Sequence, residues 1–124
     1  ETVTEFGHGV YPDGLTFDCE GGVWITSVVS NRIIRVAPDG SQHVVLEDCD
    51  DDFLDEVEAA YAADTMGQAQ VSTVKSRVLR NISSLAFGGD DLKTVYVGNL
   101  LGDTLATFRS PIAGLVQAHW SFDI

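Results

Sequence analysis

The sequence predicts an all-β protein in which short antiparallel sheets repeat along the chain, with one short α-helical insertion. Three observations support this prediction. Short runs of β-forming residues alternate with turns rich in Gly, Asp and Pro. Two groups of such runs match each other about 70 residues apart. The residues between the two groups are acidic and have helical rather than alternating spacing of apolar side chains.

The first group predicts four short antiparallel strands within about 35 residues. The strands are expected at residues 15–17, 23–28, 32–36 and 42–46. Turn residues separate them at 18–22, 29–31 and 38–40. This arrangement predicts a small sheet made of successive hairpins.

The insertion, residues 50–80, is expected to begin with a helix. Asp51 or Asp52 can cap its start, and acidic residues crowd the first turn. The face of this helix would contain Phe53, Val57, Ala60 and Tyr61, and Gly67 would end it. A second helical turn could place Val71, Val74 and Val78 together, although Val-Ser-Thr-Val equally favours a β conformation.

The second group repeats the strand and turn pattern of the first. Its strands are expected at residues 84–87, 94–97, 104–108 and 118–122. The matching positions are Leu15 with Leu85, Phe17 with Phe87, Trp24 with Tyr96, and Ile33 with Leu105. Repeated four-stranded units of about 40 to 50 residues are typical of propeller blades. We therefore predict one partial propeller domain over 1–124, with blades at 10–48 and 81–124.

Composition excludes several classes of partner. The formal charge of -12 disfavours nucleic acid and anionic membrane surfaces. No apolar run approaches the roughly 20 residues that a membrane helix needs, so we expect a soluble chain. Cys19 and Cys49 lack the spacing of a zinc or redox motif. The two cysteines do not indicate a cellular compartment, and we slightly favour the cytoplasm.

Four stretches of the sequence carry a resemblance to a known family. Three of them follow one another: Tyr11-Pro-Asp-Gly-Leu-Thr-Phe-Asp18, Gly21-Gly-Val-Trp-Ile-Thr-Ser27 and Asn31-Arg-Ile-Ile-Arg-Val-Ala-Pro-Asp-Gly40. They look like one blade of the gluconolactonase and regucalcin family, and residues 81–97 look like its last blade. The resemblance covers about two thirds of the chain and implies the C-terminal portion of a six-bladed propeller. It also implies a central divalent cation, calcium or zinc, and hydrolysis of lactones.

The resemblance assigns Asp13 to the position of a metal ligand and catalytic residue at the start of the innermost strand. Such a cation polarises a lactone carbonyl and activates water, but it needs several oxygen ligands. The family's other ligands would lie upstream of Glu1. Ser83 matches Asp13 in the second blade and could line the channel, where Asn81 could also contact substrate.

Other features have simpler explanations. Asp39 lies in a second Pro-Asp-Gly, where a hairpin turn accounts for all three residues. Asp48, Asp50 and Asp52 have the spacing of a calcium loop. However, Phe53 and Ala59 occupy the positions that require Gly and a bidentate Glu. We expect His43 and His119 on outer strands rather than in a site, and no G-x-S-x-G motif supports a serine nucleophile.

Two blades cannot close a ring, and an open fragment exposes strand edges and an apolar face. We therefore expect either self-association, for example three chains with two blades each, or further blades from a longer chain. The favoured function is a metal-dependent lactonase acting on sugar-type lactones. The alternative is a non-catalytic fragment that serves as an oligomerising scaffold or binding module.

Overall fold

The computed structural model describes residues 2–122. They form two antiparallel sheets, an insertion with two helices between them, and a final 3-10 helix. The first sheet has the order β1(Pro12–Phe17), β2(Val23–Ser27), β3(Arg32–Val36), β4(Gln42–Glu47). The insertion contains α1(Asp51–Ala62) and α2(Gln68–Val71). The second sheet has the order β5(Ile82–Gly88), β6(Thr94–Asn99), β7(Ala106–Arg109), and the 3-10 helix spans Ala118–Ser121.

The hairpins of the first sheet form where the sequence predicts them. Each strand pairs with the next along the chain, and the turn between β3 and β4 contains the second Pro-Asp-Gly. Gly40 has a φ of 85°, a conformation that favours glycine. The Asp39 carboxylate accepts hydrogen bonds from the backbone nitrogen of Ser41 at 2.9 Å and from its hydroxyl at 2.7 Å. Asp39 is therefore a turn residue, as predicted.

The main core lies between the two sheets. Trp24 of β2 packs against Phe87 of β5 with ring centroids 5.1 Å apart and planes at 82°, an edge-to-face contact. The buried apolar residues of this core are Trp24, Ile33, Leu79, Ile82, Leu85, Phe87, Val95 and Val97. Because they come from both sheets, the sheets are stacked face to face. Two stacked antiparallel sheets of this kind confirm the prediction of a propeller fragment.

The insertion begins with a helix, but its details differ from the prediction. Asp50 caps α1 and accepts a hydrogen bond from the backbone nitrogen of Phe53 at 2.8 Å. The buried residues of α1 are Phe53, Leu54 and Val57, whereas Tyr61 is exposed. The helix ends at Ala62, and Gly67 precedes the single turn of α2.

The second sheet has three strands, so the prediction of a fourth strand at 118–122 was wrong. After β7 the chain crosses to the first sheet instead of returning along β7. The backbone nitrogen of Cys19 donates to the Ala113 carbonyl at 2.9 Å, and that of Leu115 donates to the Phe17 carbonyl at 2.9 Å. These bonds hold residues 113–115 against the end of β1. His119 consequently lies in the 3-10 helix rather than on an outer strand.

Within residues 2–122, no helix has the length and apolar character needed to span a membrane. The assignment of residues 1–124 to a single partial propeller domain stays a prediction.

Candidate functional site

Strands β1 and β5 are the first strands of their sheets, and they lie side by side in the stack. The approach is close at Gly14, where a Cβ atom would collide with the carbonyl oxygen of Ser83. Each strand is irregular at this point, because the register shifts between Pro12 and Leu15 in β1 and between Ile82 and Ser84 in β5. Bulges of this kind redirect side chains and recur beside active sites. The irregularities fall at Asp13 and Ser83, the two positions that the repeat aligns.

Asp13 lies on this irregular part of β1 with its side chain exposed. Its carboxylate makes no hydrogen bond or ion pair with the residues that the structure describes. The neighbouring backbone is held in place, since the nitrogen of Gly14 donates to the Thr26 hydroxyl at 3.0 Å. Ser83 is half-buried on β5. A fixed backbone thus presents one unused carboxylate on the strand that packs against Ser83, and the ligand role of Asp13 stays a prediction.

Asn81 is wholly buried and serves as a link between structural elements. Its amide nitrogen donates to the carbonyls of Val71 at 2.7 Å and Thr73 at 3.1 Å. Its side-chain oxygen accepts from the amide nitrogen of Asn31 at 3.3 Å, and the Asn31 oxygen accepts from the backbone nitrogen of Ile82 at 3.2 Å. These bonds use the polar groups of Asn81, so its substrate contact stays a prediction that the geometry does not favour.

Asp48 directly follows β4, just before the insertion, and it is a structural anchor. Its carboxylate accepts hydrogen bonds from the backbone nitrogens of Arg77, Val78 and Leu79 at 3.0, 2.7 and 2.8 Å. Burial alone would raise the pKa of Asp48, but these backbone donors outweigh it and lower the pKa below its ordinary value. The Asp48 carboxylate binds the backbone at the end of the insertion, and Asp50 caps α1. Because both carboxylates are used in this way, these residues do not form a calcium loop.

A second polar cluster, which the sequence analysis missed, lies beside the start of β1. Glu58 of α1 accepts hydrogen bonds from the Tyr11 hydroxyl at 2.5 Å and from the backbone nitrogen of Gly9 at 2.7 Å. His8 lies 3.2 Å from Asp55 and 3.4 Å from Glu58. The hydrogen bond from Tyr11 lowers the pKa of Glu58, while burial and the same bond raise the pKa of Tyr11.

This cluster lines an open cleft of about 440 Å³ together with Phe6, Pro12 and Tyr61. Since Pro12 precedes Asp13, α1 helps to fix the segment that leads into the candidate ligand position. The sequence offered no signal for the cluster, because its partners lie 47 to 49 residues apart and share no motif.

A divalent cation needs several oxygen ligands. Among residues 2–122, no group of three His, Cys, Asp or Glu side chains is arranged to hold a metal ion. Near the paired inner strands, the structure provides the carboxylate of Asp13 and neutral hydroxyls. The donors of a single chain therefore do not fit a complete calcium or zinc site.

The stacked antiparallel sheets and their paired inner strands place this chain in the propeller class. No family model matches the sequence. The chain is 29% identical over 116 residues to a 6-deoxy-6-sulfogluconolactonase from Pseudomonas putida, covering 90% of this chain and 29% of that protein.

The fold is also similar to the solved structure of a luciferin-regenerating enzyme. The TM-score is 0.51 at 19% sequence identity, and the match covers 86% of this chain and 30% of that enzyme. The chain thus spans less than a third of the length of either protein. The sequence similarity supports the resemblance to the gluconolactonase and regucalcin family, and the structural similarity confirms the fold.

Proposed function

We propose that this chain is one section of a sugar-lactone hydrolase of the gluconolactonase type, active only in a larger or oligomeric propeller. The sequence similarity to a sulfogluconolactonase supports the choice of reaction class. The chain spans only part of that relative, so the activity of the whole protein is assigned here as a proposal.

The observation that carries the proposal is the state of Asp13. Most acidic side chains near the sheets have structural partners, as Asp18 and Asp48 do. Asp13 instead lies exposed on an irregular inner strand, next to a closely packed backbone. A carboxylate without a partner among residues 2–122, at a bulge between two inner strands, is suited to act on a ligand.

In this proposal, Asp13 supplies one oxygen ligand to a divalent cation, calcium or zinc, and other blades supply the rest. In the same proposal, Ser83 lines the channel and offers its hydroxyl to the lactone. The acidic carboxylate gives the channel a local negative potential that favours a cation. Because one chain does not complete the metal site, no step of hydrolysis is assigned to it.

The two Pro-Asp-Gly sequences provide a matched test. Hydrolysis of D-glucono-1,5-lactone is followed by acid release at increasing protein concentration, with Asp13→Asn and Asp39→Asn compared at each concentration. We expect Asp13→Asn to reduce the rate to that of the uncatalysed reaction and Asp39→Asn to retain the wild-type rate. Calorimetric titration with calcium chloride and zinc chloride should show the same difference in binding. Equal rates and equal metal binding in the two variants would refute the role of Asp13.

The second candidate is a non-catalytic scaffold or binding module. Ser83 favours it, because a neutral hydroxyl replaces the carboxylate at the repeated position and contributes little to holding a cation. Lactone left intact by an assembly with the mass of a complete propeller would favour this candidate over the hydrolase.

A further inference from the structure

The insertion lies at the edge of the sheets that carries Asp13. Because neighbouring strands of the first sheet are antiparallel, the end of β4 lies at the same edge as the start of β1. Strand β5 begins at this edge too, since Ser83 near its start packs against Gly14 near the start of β1. The insertion leaves the first sheet after β4 and enters β5, so both of its ends lie beside the candidate ligand position.

Helix α1 of the insertion is packed tightly onto this edge. Phe53 and Val57 pack against Val29, which lies in the turn between β2 and β3. A Cβ atom at Gly9 would collide with the Leu54 side chain, so the helix also lies directly against the segment that leads into β1. The helix therefore forms a fixed wall beside the start of β1.

The cleft of about 440 Å³ lies between this helix and residues 6–12. Its volume is in the usual range of small-molecule sites, which combine an apolar lining with a few polar groups. Phe6, Val10 and Pro12 provide apolar surface. Tyr61, which is 64% exposed, borders the cleft from α1. A tyrosine in this position supplies both apolar contact area and a hydroxyl.

The polar groups of the cleft keep hydrogen-bonding capacity for a ligand. Within residues 2–122, the Tyr61 hydroxyl has no hydrogen-bond partner. One oxygen of Glu58 accepts from Tyr11 and Gly9, whereas the other oxygen lies 3.4 Å from the His8 ring. The hydrogen bond from Tyr11 lowers the pKa of Glu58, so the carboxylate is an ionised acceptor at neutral pH. A ligand with several hydroxyl groups matches this combination of donor and acceptors.

A second cleft, of about 350 Å³, is less suited to serve the candidate site. It lies between the outer strands β4 and β7 and is lined largely by apolar side chains, among them Leu46, Leu79 and Phe108. With strands about 4.8 Å apart, β4 lies roughly 14 Å from β1 across the first sheet. The cleft beside α1 instead includes Pro12, the residue before Asp13. Position and lining both favour the cleft beside α1.

We propose that the cleft beside α1 is the subsite that recognises the hydroxylated carbons of the sugar lactone, and that Tyr61 is a specificity-determining residue. The inference rests on the proposed function, which places the reacting carbonyl at Asp13. Sugar hydroxyls donate to the Glu58 carboxylate and hydrogen-bond to the Tyr61 hydroxyl, while the carbon skeleton packs against Phe6. A lactone without hydroxyls leaves those polar groups unpaired, and sites built to bind a hydroxyl discriminate against such analogues.

Two lactams that resist hydrolysis test the subsite by binding alone. D-Glucono-1,5-lactam carries the sugar hydroxyls, and δ-valerolactam has the same six-membered ring without them. We expect the glucono-lactam to shift the NMR amide signals of residues 6–12 and 55–61 and to bind more tightly than δ-valerolactam. Tyr61→Phe should weaken binding of the glucono-lactam about 3- to 10-fold, the effect of one lost hydrogen bond, and should leave that of δ-valerolactam unchanged.

Tyr96→Phe is the matched control. Tyr96 is also exposed, at 41%, but it lies on β6 outside the cleft, so this variant should bind the glucono-lactam with wild-type affinity. Tyr61→Phe removes only one exposed hydroxyl, so its circular dichroism spectrum should equal that of the wild type.

The same variants separate binding from chemistry in lactone hydrolysis. In Tyr61→Phe, KM for D-glucono-1,5-lactone should rise about 3- to 10-fold, whereas kcat and the hydrolysis of δ-valerolactone should not change. A merely structural role of Tyr61 would affect both substrates alike.

Three binding results would overturn the inference. These are unchanged signals of residues 6–12 and 55–61 with the glucono-lactam, equal affinity for the two lactams, or equal affinity of Tyr61→Phe and Tyr96→Phe for the glucono-lactam. Lactam binding in the cleft without hydrolysis of the lactone would contradict the proposed function alone. Hydrolysis with an unchanged KM in Tyr61→Phe would contradict this inference alone.

Discussion

Each sheet joins an aspartate in the turn after its first strand to an arginine of its third strand, yet the two ion pairs are in different environments. In the first sheet, Asp18 is buried and accepts hydrogen bonds from Arg35 at 2.6 Å and from the indole nitrogen of Trp24 at 2.8 Å. In the second sheet, the side chains of Asp91 and Arg109 are 50% and 61% exposed. The second sheet and the segment after β7 cover the first pair, and nothing in the described chain covers the second. The two ion pairs have the same chemistry, but their contributions to stability differ because a neighbouring sheet covers only one of them.

The same contrast holds for apolar positions, since burial of about 25 cal/mol per Å² stabilises only the copy that has a neighbour. Leu85 and Phe87 contribute to the core of one chain, whereas Leu15 and Phe17 do not.

Asp18→Ala should destabilise the chain much more than Asp91→Ala. Removing one partner of a buried ion pair costs about 3–5 kcal/mol, because the other charge remains buried without a partner. An exposed pair contributes little. Urea unfolding followed by tryptophan fluorescence measures both variants. Equal losses of stability would show that the two pairs are not in the different environments described here.

Leu85→Ala should cost about 2–5 kcal/mol, as expected for a leucine in a packed core. Leu15→Ala should change the stability of a dilute monomer by less than about 0.5 kcal/mol. Thermal unfolding at low protein concentration measures this difference. If Leu15 lies in a contact between copies of the chain, the loss of stability in Leu15→Ala should grow with protein concentration. A loss that does not depend on concentration would show that Leu15 makes no such contact.

Asp48→Ala should cost about 1–3 kcal/mol, because the backbone nitrogens of Arg77, Val78 and Leu79 lose their acceptor. Asp52→Ala, at an exposed position in the first turn of α1, is the control and should cost less than about 1 kcal/mol. Hydrogen exchange of the amides of residues 77–79 should increase in Asp48→Ala alone. Unchanged exchange would show that Asp48 does not anchor the insertion.

Stability should fall in acid as the buried carboxylates are protonated. Burial alone would raise the pKa of Asp18, but hydrogen bonds from Arg35 and Trp24 lower it below the ordinary value of 3.8. A depressed folded-state pKa contributes stability that is present above the unfolded pKa and is lost as the pH falls through the folded pKa. The urea midpoint should therefore be nearly constant from pH 7 to about pH 5 and decrease below about pH 4. The acid-induced decrease should be smaller in Asp18→Asn, and an unchanged decrease would exclude Asp18 as a source.

Much of the fold could be predicted because its signals are local. Residues close in sequence determine the hairpins of the first sheet, the turn at Asp39 and the start of the helix near Asp51. The candidate position Asp13 came from a family resemblance, and the structure places it on an irregular inner strand. The roles of Asn81, Asp48 and Glu58 could not be predicted, because their partners lie 8 to 50 residues away and share no pattern.

Local residue patterns account for the seven strands within residues 2–122, their turns and the repeat, because alternation and turn chemistry act over a few residues. Which copy of each repeated residue is buried depends instead on long-range packing, since burial requires a neighbouring sheet. The tertiary structure also decided the path after β7, where bonds from Ala113 and Leu115 to the end of β1 replaced the fourth strand. Those bonds join residues that lie far apart in the sequence, so local propensity could not reveal this path.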